Sequence, residues 1–159
     1  MPIVGRFGNT SGRPYVEGRL IIPRLGLRAD LSFLLDTGAD GVFVMPGDAL
    51  LMGVDYTKLV LAPHASLGIG GETRDYLEPA VIVFDDSQQL YVYDTVVTIG
   101  HLDPTLLAVP SLVGRTILDR WNLTYRPTQG LLVASPDSAD VVMPIPPNYQ
   151  AISPTARHD

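Results

Sequence analysis

Leu34-Leu35-Asp36-Thr37-Gly38-Ala39-Asp40 is the stretch on which the reading of this chain turns. A carboxylate stands at the end of an apolar run, followed by a small hydroxyl residue and a glycine. An apolar strand holds its last residue rigidly, and the glycine lets the backbone bend sharply and approach a neighbour. Thr37 offers a hydroxyl and an amide to brace that turn. Three residues are a weak pattern alone, since an ordinary strand-ending turn has the same composition. The second informative stretch is Ser111-Leu112-Val113-Gly114-Arg115-Thr116-Ile117-Leu118, where two apolar residues, a glycine and an arginine precede a short helical run.

Outward from these two stretches the chain reads as mostly β. Tyr15 to Pro23 and Arg28 to Leu35 are strand candidates separated by a turn at Arg24-Leu25-Gly26-Leu27, and Gly41 to Met45 continues as a short Val- and Phe-rich strand. Pro46 to Met52 suits one or two helical turns, with Pro46 at the first position and Gly53 as the stop. A hairpin is expected with arms Ala62 to Leu67 and Thr73 to Phe84 and with the tip Gly68-Ile69-Gly70-Gly71. Asp85-Asp86-Ser87 reads as a solvated turn and Leu90 to Ile99 as a strand. His101 to Pro110 reads as a loop, Thr116 to Trp121 as helix, and Leu123 to Tyr125 and Leu131 to Ala134 as strands. Past Ser135 the prolines accumulate (Pro136, Pro144, Pro146, Pro147, Pro154), so the expected division is a folded domain at 1–134 and a Pro-rich, extended or disordered tail at 135–159. Within that tail Asp140 to Ile145 is apolar enough to dock as an edge strand.

Composition narrows the function. With 46% hydrophobic and 18% charged residues the chain is globular. Its 17 acids against 11 bases give a net charge of −6, which argues against nucleic acid and anionic membrane as partners. The absence of cysteine excludes disulfides, thiol nucleophiles and thiolate-bound zinc. His64, His101 and His158 lack the spacing of a zinc protease and are expected to be exposed or loop histidines. No apolar leader and no run of membrane-spanning length is present, so a soluble, cytoplasmic protein is expected.

Asp36-Thr37-Gly38-Ala39, Gly68-Ile69-Gly70-Gly71 and Leu112-Val113-Gly114-Arg115 occur in the order found in retropepsin-like aspartic proteases, the family of retroviral proteases and their cellular relatives. The chain resembles that family over roughly residues 15–134, and Ala39 favours the retroviral type. The resemblance implies a closed β-barrel, half of an acid protease, with a flap hairpin and one or two short helices. It implies Asp36 as the catalytic residue, supported in its loop by Thr37, Gly38 and Ala39. Leu112, Val113 and Gly114 would lie beside that loop, Asp40 and Arg115 would form a structural ion pair, buried or partly so, and Gly68, Ile69, Gly70 and Gly71 would form the flap. It further implies an endopeptidase that needs neither metal nor other cofactor, acts on a peptide or protein, and assembles its aspartate dyad with a second copy of the same chain. Asp94-Thr95-Val96 is the nearest thing to a second motif and lacks the glycine. Three other readings compete: a catalytically silent dimerisation or peptide-binding module on the same fold, a nucleotide-binding glycine cluster at 68–71 without its lysine, and an unrelated ligand-binding β-barrel.

Overall fold

The computed structural model describes residues 1–63, 66–68 and 71–159. In chain order the strands are β1 (Ile3–Val4), β2 (Arg6–Phe7), β3 (Pro14–Ile22), β4 (Leu27–Leu35), β5 (Val42–Val44), β6 (Ser66–Gly68), β7 (Gly71–Thr73), β8 (Tyr76–Asp85), β9 (Gln89–Ile99), β10 (Leu112–Val113), β11 (Trp121–Arg126), β12 (Leu131–Pro136) and β13 (Val141–Pro144). Two short helices, α1 (Pro46–Leu51) and α2 (Arg115–Leu118), interrupt them. Two long hairpins, β3–β4 and β8–β9, form the frame, and β3 pairs with β8 to join them. The circuit closes as β9-β5-β10-β4-β3-β8 and back to β9, a six-stranded barrel with no free edge along that circuit. β2 and β13 pair on its outside, β1-β12-β11 make a separate three-stranded sheet, and β6-β7 form a small hairpin.

The turns follow from single residues. Gly26 sits at φ 63° and closes the one-turn 3-10 helix Pro23–Leu25 between β3 and β4. Gly53 at φ 88° ends the α1 region, as its place after Met52 predicts. The core packs around Phe84, which has no exposed surface. Its ring meets those of Phe33, Tyr93 and Trp121 edge-on at centroid separations of 6.4, 6.0 and 4.9 Å. Gly18 on β3 makes room, because a Cβ there would come within 2.8 Å of Phe84 and 3.0 Å of Phe33. The Trp121 indole N–H donates to the Tyr93 hydroxyl at 2.7 Å, tying the first residue of β11 to the barrel.

Several elements differ from the sequence expectation. The arm Thr73 to Phe84 breaks at Arg74-Asp75, so β7 belongs to a small separate hairpin while β8 enters the barrel. The helix expected at Thr116 to Trp121 is α2, displaced toward Gly114, because Trp121 is drawn into β11 by its aromatic partners. Asp86 is not solvated: it is 6% exposed and accepts from the Gln88 and Gln89 amides and the Tyr91 hydroxyl. His101 and His158 lie in loops, as expected, and there contact Asp75 and Asp48; His64 lies outside the described residues. β12 runs to Pro136, past the expected boundary at 134, and β13 pairs antiparallel with β9 from Val141↔Val92 to Pro144↔Gln89. Beyond it the tail is extended but tied down. Tyr149 donates to Asp85 at 2.9 Å, Arg19 to the Gln150 carbonyl at 3.0 Å, and the Ser153 amide to Asp30 at 2.9 Å. No helix among the described residues is long and apolar enough to cross a membrane.

Two outcomes follow from this packing. Phe84→Ala removes the ring shared by three aromatic neighbours and is expected to cost about 3–5 kcal/mol, read from urea denaturation. Asp30, Asp48 and Asp86 are each raised by burial, but the hydrogen bonds they accept more than offset it and hold all three below the usual carboxylate range. Their contribution to stability is therefore full above the unfolded carboxylate value of about 3.9 and is lost as the pH falls through the depressed folded values. Denaturation midpoints should fall steeply below about pH 4 in the wild type and less so when Asp30 and Asp86 are both replaced by Asn.

Candidate active site

Asp36 is the first residue beyond β4, and its environment is made by backbone. Its amide donates to the Val113 carbonyl at 3.0 Å, and its own carbonyl accepts the Ala39 amide at 3.2 Å. The Gly38 amide donates to Asp36 Oδ1 at 2.9 Å, so the turn that follows the carboxylate also orients it. Leu35 behind it is buried, Asp36 is half-buried, and Thr37 and Gly38 are exposed at the tip of the loop. The result is a carboxyl group held at a rigid strand end and open to solvent.

β10 is what holds the strand end. It lies parallel to β4, with Leu112↔Leu34 and Val113↔Leu35, and antiparallel to β5 through Leu112↔Phe43. Gly114 then passes directly under the loop: a Cβ there would lie 2.6 Å from the Gly41 carbonyl oxygen and closer still to that of Ala39. The first amides of α2 lack partners within so short a helix. The loop supplies them, with Arg115 N donating to the Ala39 carbonyl at 2.9 Å and Thr116 N to that of Asp40 at 2.8 Å. The structure thus brings Asp36, Thr37, Gly38 and Ala39 against Leu112, Val113 and Gly114.

Arg115 also contacts the Asp40 carboxylate. The side chains are 51% and 90% exposed, so the expectation of a buried or partly buried ion pair is corrected. Water competes for both groups, and the tie between loop and helix is made chiefly by the two backbone hydrogen bonds.

The hairpin β6–β7 pairs Ser66↔Thr73, Leu67↔Glu72 and Gly68↔Gly71. Gly68 and Gly71 therefore stand opposite one another, while Ile69 and Gly70 lie outside the described residues. Its base is fixed to the barrel. The Ala62 amide donates to the Asp75 carbonyl at 2.8 Å, and the Asp75 carboxylate, 5% exposed, meets both the backbone amide and Nδ1 of His101 at 3.0 Å.

Two polar residues near the site had no signal in the sequence. Ser111, which is fully buried, accepts the Leu34 amide on its carbonyl at 2.9 Å and the Met45 amide on its hydroxyl at 2.9 Å. That hydroxyl donates to Asp48 Oδ2 at 2.6 Å, and Asp48 is 2% exposed. A serine before an apolar pair and an aspartate in the first turn of a helix are both common, and only the fold joins them.

No protein-family model and no curated protein sequence matches the chain. Among solved structures it is similar to a retropepsin-like aspartic protease from Rickettsia conorii, with a TM-score of 0.59 and 21% identity over 84% of this chain and 89% of that one. A complex of EIAV protease with an inhibitor also aligns, with a TM-score of 0.47 and 18% identity over 70% of this chain and 90% of that one. The six-stranded barrel with its threaded β10 is a retropepsin-like fold.

The geometry separates two neighbouring substitutions. Gly114→Ala forces a methyl group into backbone oxygens that no rotamer change can move. It is expected to cost at least the ~1–3 kcal/mol of ordinary overpacking. Arg115→Ala removes an exposed pair and is expected to cost below about 1 kcal/mol. Chemical denaturation of the two variants checks the order, and a larger loss for Arg115→Ala would reverse the assignment of the tie to backbone.

Proposed function

We propose that the chain is an aspartic endopeptidase whose catalytic dyad is completed by Asp36 of a second copy. The observation that carries the reading is the placement of Asp36: a carboxyl at a barrel strand end, oriented by the Gly38 amide and anchored on Val113. Among the described residues no second carboxyl group is hydrogen-bonded to it within the chain, and the neighbouring Asp40 is engaged by Arg115. One such half-site gives no dyad, and a two-fold axis beside the loop supplies the other half. The exposed position of Thr37 and Gly38 at the loop tip supports contact there.

Two apposed carboxyl groups share one proton, because both cannot ionise cheaply at short range. The ionised one removes a proton from a bound water, whose oxygen attacks the peptide carbonyl carbon. The protonated one donates a hydrogen bond to the carbonyl oxygen. Collapse of the tetrahedral intermediate breaks the C–N bond as a proton passes to the leaving nitrogen, giving a carboxylic acid and an amine. The β6–β7 hairpin, rooted at Asp75 and His101, is the segment suited to close over an extended peptide and exclude water. The seam between copies is suited to β11. It is the longer of the two edge strands of its sheet, and Leu123 and Tyr125 on it are 37% and 52% exposed.

The test is a peptide-library digest between acidic and neutral pH. Asp36→Asn should abolish cleavage while preserving the fold by circular dichroism. Specific activity should fall on dilution, and an excess of the Asp36→Asn chain should suppress the wild type. Undiminished cleavage by Asp36→Asn would sink the catalytic assignment, and flat specific activity from a sedimenting monomer would sink the shared dyad. A dimer that binds peptides without cleaving them would instead define a silent binding module.

A further inference from the structure

We infer that His158, at the far end of the tail, is a positioning residue for Asp36, acting as a latch that fixes β10 through Asp48 and Ser111. The inference rests on reading Asp36 as catalytic, but its structural half does not. His158 Nε2 lies 3.1 and 3.3 Å from the two oxygens of Asp48. Asp48 Oδ2 accepts the Ser111 hydroxyl at 2.6 Å and the Ser111 amide at 3.2 Å. Ser111 immediately precedes β10, and two residues later the Val113 carbonyl holds the Asp36 amide. A single polar chain therefore runs from the tail to the candidate catalytic loop.

The physical case is one of unpaired charge. The Asp48 carboxylate is almost wholly out of water, and such a group must have partners or lose its charge. Ser111 and His158 supply them. Burial pushes the Asp48 carboxyl up, and the hydrogen bonds from His158 and Ser111 with the charge of His158 bring it below its usual range. Without His158 the carboxylate is left to Ser111 alone, and the change passes through the Ser111 hydroxyl to the Met45 amide that it accepts and along β10.

The rest of the tail is built to deliver the imidazole and not to seal a core. A cavity of about 330 Å³ opens between tail and barrel, lined by Arg19, Asp30, Met52, Gln150, Ser153 and Thr155. The segment spans it on discrete polar hooks: Tyr149 to Asp85, Gln150 to Arg19, Ser153 to Asp30, and the His158 carbonyl to Arg6 at 3.3 Å. Pro154 is the one buried residue of the span from 145 to 159. A strap held by separate polar contacts over an open space can come off without opening the barrel, so the loop it steadies is adjustable from a distance.

The experiment uses the full chain with His158→Ala, His158→Gln and Arg157→Ala, the last as a neighbouring exposed control. Amide hydrogen exchange is followed by NMR at Met45, Ser111 and Asp36, with Ile82 on the opposite hairpin as reference. Loss of a hydrogen bond to a buried carboxylate should speed exchange at the first three by about tenfold or more in His158→Ala, leaving Ile82 unchanged. Gln keeps a donor and should restore the wild-type pattern, and Arg157→Ala should not alter it. In peptide hydrolysis His158→Ala should lower kcat with KM unchanged. Unchanged exchange at Ser111 and Asp36, equal acceleration throughout the barrel, or equal loosening by Ala and Gln each overturns the latch. The expected exchange pattern in a chain that cleaves nothing upholds the latch and removes the peptidase reading instead.

Discussion

Two residues carry this architecture. β10 is only Leu112 and Val113, yet it fills the gap between β4 and β5 and so closes the barrel. The Ser111 carbonyl just before it holds the Leu34 amide, its own Val113 carbonyl holds that of Asp36, and the glycine that follows it lets a helix start against the loop. The constraint is one of backbone on backbone. Side chains contribute little at the point of contact, because the separation at Gly114 leaves room for none. Rigidity of the loop and closure of the barrel are consequently the same property, and a change that loosens one loosens the other.

Legibility in the sequence tracks how local each cause is. β3, β4, β5 and β9 carry enough apolar and β-branched residues to be read where they stand, and α1 is bracketed by Pro46 and Gly53. The loop at Asp36 is legible because its glycine amide and its carboxylate act on one another within the turn itself. β10 is not readable as a strand, since two residues have no period and become one only by lying between two others. The end of α2 at Leu118 is not readable locally, because Thr116 to Trp121 looks helical until Trp121 is claimed by Phe84, a partner remote in the chain. The tail's anchor points are unreadable for a related reason. Prolines announce an extended chain truthfully, but Tyr149, Ser153 and His158 follow no repeat, and their acceptors lie on strands far upstream.

The acidic composition takes on a different meaning once placed. A charge of −6 suggests a solvated surface, yet Asp48, Asp75, Glu78 and Asp86 are all nearly inaccessible. Each serves as an acceptor where the fold has donors to satisfy: Glu78 takes two hydrogen bonds from Arg24, Asp75 the His101 pair, Asp86 two turn amides. Carboxylates do here what a larger protein would do with more apolar packing. They pin hairpin bases and strand joins that a barrel of this size leaves thinly covered.

The late position of β10 in the chain bears on how the molecule comes into being. The β3–β4 and β8–β9 hairpins are local and can form as soon as their turns exist. The slot between β4 and β5 stays empty until the segment around Leu112 arrives, and α2 must follow it for the loop to find its carbonyl partners. On a ribosome, Asp36 is therefore made early and given its geometry late. The frame is complete only once Ile99 has been made, and its centre stays unformed until Leu112 and Val113 follow.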